Sequence, residues 1–151
     1  LEHRIRRLSN VQAVNVAIGD QTRMSTIWIE SAGDNGASLS LQNHGRHIQT
    51  RVIKADDLVA KLGVKNVDVL IVDAEGYEER ILQGARRILV DARFLLVEVH
   101  HFIDPSMGRK IDDLLLSLGF EKLKVEIQSG KIEHYITVNL YSKNLHSKTM
   151  I

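Results

Sequence analysis

The sequence contains no cysteine in its 151 residues. That absence excludes disulfide scaffolds, thiolate metal sites, iron–sulfur clusters and cysteine nucleophiles together, and it suits a reducing compartment, so a cytoplasmic location is expected. Neither sign of charge dominates. The 20 Lys and Arg against 19 Asp and Glu leave a formal charge of +1, which argues against a strongly basic nucleic-acid binder. No apolar run approaches the roughly 18 to 20 residues of a membrane-spanning helix, and residues near Leu1 lack the apolar core of a signal peptide. Neither nucleic acid nor membrane is therefore an expected partner. Proline is almost missing: Pro105 is the only one, and with Gly108 it marks a loop over 102–107 that leads into a helix.

What is present suits one globular domain, with 44% of residues hydrophobic and 26% charged. A chain of this length buries roughly 68 to 70% of the surface its unfolded form exposes and needs no covalent staples. The expected division is a domain over 1–144 and a frayed tail over 145–151. The chain opens on Leu1 without an initiator methionine. Leu1, Ile5 and Leu8 already fall on one helical face, so the expectation is that a segment precedes it.

Hydrophobic periodicity then predicts a mixed order of elements. Strands are expected at 11–18 and 23–30, and Trp28 is placed to cover a sheet edge. Residues 31–49 read as a loop with a short strand near 38–41. A strand at 50–53 precedes a helix over 56–62, capped by Asp56 and ended by Gly63. The nearly continuous apolar run 67–72 suits a central strand covered on both faces. A helix over 77–90 follows, interrupted by Gly84 at a cost of about 1 kcal/mol unless it must approach the sheet closely there. A strand at 94–99, a helix at 109–118 ending at Gly119, and strands at 121–128 and 133–141 joined at Ser129-Gly130-Lys131 complete the chain. Strands alternating with helices in this way predict an α/β three-layer sandwich with a C-terminal antiparallel hairpin.

In open α/β sheets ligands bind beyond the carboxyl ends of the strands. The run 67–72 ends in Asp73-Ala74-Glu75-Gly76-Tyr77-Glu78, and the next strand ends in Glu98-Val99-His100-His101. If the two strands are neighbours, Asp73 and His100 share a rim, with Glu75 and His101 close by. A structural reading stays open beside this one: acidic residues favour a helix N-terminus, and a histidine at a strand end is often a solvated boundary residue. Asp, Glu and His are suitable metal ligands, but adjacent histidines on a strand point to opposite faces, so no metal is expected. Gly36-Ala37-Ser38-Leu39-Ser40 reads as a substrate loop or a plain connector. His44, Arg46 and His47 read as solvated loop residues, and Arg4, Arg6 and Arg7 as a solvated helix face.

Taken in order, Asn15-Val16-Ala17-Ile18-Gly19-Asp20, Gly36-Ala37-Ser38-Leu39, Ala55-Asp56-Asp57-Leu58, then 67–78 with Leu82 and Gly84-Ala85, and finally Leu96-Val97-Glu98-Val99-His100 resemble the C-terminal two-thirds of FkbM-type methyltransferases. The likeness runs continuously over about residues 1–101, and the Asp-x-Glu-Gly-x-Glu element followed by Gly-Ala and Glu-x-His is its most specific part. Ile71 stands where many members have a lysine, and Ala74 where valine is common.

The resemblance implies a Rossmann-like class I methyltransferase sheet, N-terminally incomplete here, because the family's Gly-rich cofactor turn and the acidic residue ending its second strand would lie before Leu1. It implies S-adenosylmethionine as cofactor and O-methylation of a hydroxyl on a small-molecule or glycan acceptor. Asp73, Glu75 and His100 take the catalytic roles. Ala17, Ile18 and Asp73 line the cofactor, and Ser38, Glu98 and His101 meet the substrate. Two other classes remain: a non-catalytic interaction module with an exposed sheet edge at 50–53, and a metal-assisted hydrolase built on Asp73, Glu75 and His100.

Overall fold

The computed structural model describes residues 8–29, 38–40, 46–101, 103–128 and 136–143. The predicted N-terminal helix, the turn at Ser129-Gly130-Lys131, the tail and, of the loop expected over 31–49, all of 31–45 but 38–40 lie outside the described residues. Arg46 to Gln49, expected in that loop, are strand instead, because they pair with Thr26 to Ile29. The chain is mixed α/β, with seven strands and four helices among the described residues. In chain order these are β1 (Ala17–Gly19), β2 (Arg23–Ile29), β3 (Arg46–Lys54), α1 (Ala55–Lys61), β4 (Val69–Val72), α2 (Glu78–Gln83), α3 (Arg86–Asp91), β5 (Phe94–His100), α4 (Met107–Ser117), β6 (Phe120–Gln128) and β7 (Ile136–Lys143).

The strands form two hydrogen-bonded sheets, ordered β1-β3-β2 and β4-β5-β7-β6. In the first, β1 runs parallel to β3 and β2 antiparallel to it. β3 therefore lies between two neighbours, and Val52 is in register with both Ala17 and Arg23. The exposed edge expected at 50–53 is not there. Trp28 sits on β2 and pairs with Ser38 through a single bridge, which is what forms among the described residues 38–40 of the short strand expected near 38–41. The strand expected over 11–18 is reduced to β1, because only Ala17 to Gly19 meet a bonded partner.

In the second sheet β4 and β5 are parallel neighbours, with Val72 opposite Val97, and β7 enters antiparallel between β5 and β6. The run 67–72 is not the centre of a sheet. β4 begins only at Val69 and has one bonded neighbour among the described residues, and only one of its faces is covered: Val72 is buried while Val69 and Ile71 stand 54% and 67% exposed. β5 and β7 are the interior strands, and on β5 Leu95, Val97 and Val99 are all fully buried. Helix α4 closes this sheet through Ile111 and Leu115, which reach zero exposure, each contributing about 1.5–3 kcal/mol.

The helix expected over 77–90 is two helices, α2 and α3, separated at Gly84 and Ala85. The break has a steric cause. A Cβ on Gly84 would lie 1.9 Å from the carbonyl oxygen of Gly19, so glycine lets this junction press against β1, as the interruption in the pattern suggested. The break also frees the first amides of α3, and Asp56 takes them. Its carboxylate accepts hydrogen bonds from Arg87 N at 2.9 Å and Ile88 N at 3.0 Å. Asp56 thus caps a helix 30 residues further on rather than its own, since α1 already begins at Ala55, ahead of it.

Candidate active site

The site is built where β4 and β5 end side by side. After β4 the chain turns through Asp73, Ala74, Glu75 and Gly76 into α2. Glu75 and Gly76 both take left-handed backbone angles, with φ of 49° and 89°. For Glu75 this is a strained position. At Gly76 no other residue fits, because a Cβ there would meet Ile103 Cγ1 at 2.3 Å. Two hydroxyls hold the turn from the side: Ser38 Oγ donates to the carbonyl of Glu75 at 2.9 Å, and Ser40 Oγ to that of Gly76 at 2.8 Å.

Folding the turn back in this way brings Glu78 underneath it. Glu78 is fully buried, and one oxygen, Oε1, accepts from Ala74 N at 3.2 Å, Gly76 N at 2.9 Å and His100 Nδ1 at 2.7 Å. A carboxylate already accepting two amides acts as acceptor toward the ring, so Nδ1 carries the proton. Nε2 therefore faces the other carboxylates. It lies 3.4 Å from Glu75 Oε2 and 3.9 Å from Glu98 Oε1. Asp73, Glu75 and His100 each present a ligand atom, all within 4.8 Å of one another.

The electrostatics follow from this crowding. Burial alone disfavours a charged His100, yet the Glu78 hydrogen bond and the charges of Glu78, Glu75 and Glu98 together raise its pKa above the ordinary value. Glu98 is raised as well, by burial first and then by the negative charges of Asp73, Glu75 and Glu78, against the opposing pull of His100. A polar cluster of this kind holds protons or cations at the strand ends.

Asp73, Glu75, Glu98 and His100 thus come together, as the strand-end position suggested. His101 does not join them. Consecutive strand residues face opposite ways, and its Nε2 lies 2.9 Å from Thr137 Oγ1, on the far side of the sheet; burial and the nearby Lys122 lower its pKa. Ser38 is buried, and its hydroxyl grips the Glu75 carbonyl. Ile18 and Asp73 line one apolar cavity of about 260 Å³ with Leu70 and Ile71, while Ala17 lies in β1 opposite Val52. Glu78 is the residue that sequence reasoning passed over. Its signal was the third acid of Asp-x-Glu-Gly-x-Glu, which reads by default as a first-turn helix acid.

The geometry defines an α/β domain with a carboxylate–histidine cluster at the ends of two parallel strands. The model of the methyltransferase FkbM domain matches residues 2–122, and the chain belongs to that family. It is also similar to the hexuronic acid methyltransferase AglP of Haloferax volcanii, with 34% identity over 77 residues, covering 51% of this chain and 30% of that protein. The chain thus matches less than a third of this relative's length. No solved structure gives a significant match.

Proposed function

We propose that the protein is an S-adenosylmethionine-dependent methyltransferase that methylates a hydroxyl on a sugar or a related small molecule in the cytoplasm. The fold then corresponds to part of a Rossmann-like class I sheet. The observation that carries the reading is the His100–Glu78 pair at the end of β5, aimed at Asp73 and Glu75, in a chain of the FkbM family. A relative whose name states that it acts on a hexuronic acid supports a sugar acceptor.

The residues present fit one side of the cofactor. Ile18, Leu70 and Ile71 offer an apolar wall, and the exposed carboxylate of Asp73 at its rim suits an ammonium group. The cavity they line, about 260 Å³, is below the roughly 300–1,000 Å³ of whole-ligand pockets. These residues alone therefore account for part of the molecule. When bound, the cofactor supplies an electrophilic methyl group.

The chain's own residues position and deprotonate. Asp73 stands at the junction of cofactor and acceptor, and Ile18, with Ala17 beside it in β1, lies on the cofactor side. His100 Nε2 or Glu75 orients the acceptor hydroxyl or takes its proton; Glu78 fixes the ring so that Nε2 faces outward. Glu98 and Ser38 belong to the acceptor side, Ser38 by shaping the Glu75 turn. Alignment of oxygen with methyl carbon supplies most of the rate, and proton removal typically about 10²–10⁴-fold.

The test is methyl transfer from labelled S-adenosylmethionine to a panel of hydroxyl acceptors that includes hexuronic acids, alongside cofactor-induced thermal stabilisation. We expect Asp73→Asn and His100→Asn each to lower turnover by about 10²-fold or more. Unchanged turnover in both variants would overturn the assignment.

A further inference from the structure

The cluster at the strand ends has a donor set and a support that go beyond what a proton-transfer site needs. Among Asp73, Glu75 and His100, the ligand atoms lie within 4.8 Å of one another. A cation at about 2.1 Å from each of three donors holds them about 3.0–3.4 Å apart in octahedral or tetrahedral geometry, so the two less buried carboxylates must close on the ion by about an ångström or more while His100 stays in place. His100 is the fixed member. It is 1% exposed, and its Nδ1 proton is held by Glu78, itself without exposure. A buried carboxylate on the far ring nitrogen, with the near nitrogen turned to a group of acids, is the support that orients metal-bound histidines and raises their basicity. The other oxygen of Glu78, Oε2, is buried with no hydrogen-bond partner among the described residues, so this support carries more negative charge than its protein partners satisfy.

One feature in particular distinguishes this arrangement from an ordinary acidic surface patch. Glu75 reaches the cluster only because its backbone is held left-handed, at a φ of 49°, by the Ser38 and Ser40 hydroxyls on the turn. The expectation of no metal rested on His100 and His101 facing opposite ways. They do so, and only His100 is needed: the other donors come from the β4 turn.

We propose that Asp73, Glu75 and His100 Nε2 bind one divalent transition-metal cation of the manganese or zinc type. A mixed imidazole and carboxylate set suits such ions better than calcium, which takes oxygen ligands alone. Three protein donors leave further coordination positions open. If the methyltransferase reading holds, an acceptor hydroxyl occupies one of them, and with an ion bound the ion takes the place of both His100 and Glu75 in orienting that hydroxyl and easing its deprotonation. The cation site itself stands on the donor set and does not depend on that reading.

The experiment is titration of the metal-stripped chain with MnCl2 and separately with ZnCl2, followed by calorimetry and, for manganese, by electron paramagnetic resonance. Binding of one equivalent is expected. Asp73→Asn and Glu75→Gln, isosteric changes at the less buried donors, should each weaken it at least tenfold with unchanged circular dichroism. Glu78→Gln, which touches no ion, should weaken it by about 10–100-fold. Absence of binding of both ions up to millimolar concentration would overturn the proposal, as would binding undiminished in both Asp73→Asn and Glu75→Gln. S-adenosylmethionine binding, measured on the same samples, reports separately on the methyltransferase reading.

Discussion

Glu78 carries more of the site than its place in the sequence suggests. Its Oε1 terminates two backbone amides and the His100 ring at once, in a spot with no water access. Glu78→Ala takes the shared acceptor from all three donors, the Gly76 amide and the His100 ring among them fully buried, and removal of one member of a buried pair costs about 3–5 kcal/mol. Urea unfolding should show a loss of that order, while Glu78→Gln, which keeps one carbonyl acceptor, should lose clearly less. Asp73 and His100 were legible because strand-end position alone marks them. The role of Glu78 was not, because it depends on the left-handed backbone at Glu75 and Gly76 that folds the turn over it, and spacing does not encode that. Asp104 offers a pH test at the same scale. Hydrogen bonds from Lys110 and from the Ser106 hydroxyl and amide lower its pKa to about 2. A depressed carboxyl stabilises the fold above its unfolded value and loses that contribution as pH falls. The Asp104 carboxyl should titrate near about 2 by carbon NMR, and its support of the α4 N-terminus should fade between about pH 4 and pH 2.

At the level of elements, the junction of α2 and α3 decides how the helical layer meets β1. Alanine is the better helix former by about 1 kcal/mol, so propensity alone makes Gly84→Ala stabilising. The Cβ position 1.9 Å from the Gly19 carbonyl reverses the sign. A net loss of about 1–3 kcal/mol is expected by thermal or urea unfolding. Asp56→Ala removes the carboxylate that caps α3 from a distance, and about 0.5–2 kcal/mol should go with it. Periodicity located most elements well: α4 buries Ile111 and Leu115 as its pattern requires, and α1 and α4 stop at Gly63 and Gly119. It misplaced β4, because an apolar run of four to six residues looks the same at a sheet's edge as at its centre. Only the identity of the neighbours separates the two, and those are set by topology.

Across the whole molecule, the two sheets share no strand among the described residues. They are tied through the helical layer, by Gly84 against Gly19, Asp56 on α3 and Arg80 on Asp20, and at the site by Ser38 and Ser40 on the β4 turn and Arg23 Nη2 donating to the buried Tyr77 hydroxyl at 2.8 Å. Among the described residues β4 has one bonded neighbour, and Ile71 on it is 67% exposed. Open strand edges with apolar side chains favour association with other chains. Ile71→Lys should leave stability within about 0.5 kcal/mol and reduce light scattering at high protein concentration; unchanged scattering would mean that this edge does not drive association. No described helix is long and apolar enough to cross a membrane.

The order β4-β5-β7-β6 has a consequence for assembly during synthesis. β5, which carries His100, receives its second hydrogen-bonded neighbour from residues 136–143, a strand made only after α4 and β6 have followed β5 in the chain. Pairings this distant in sequence form slowly. The side of β5 opposite β4 stays bare in the nascent chain, and the histidine's surroundings mature only when β7 slides in between two strands already made.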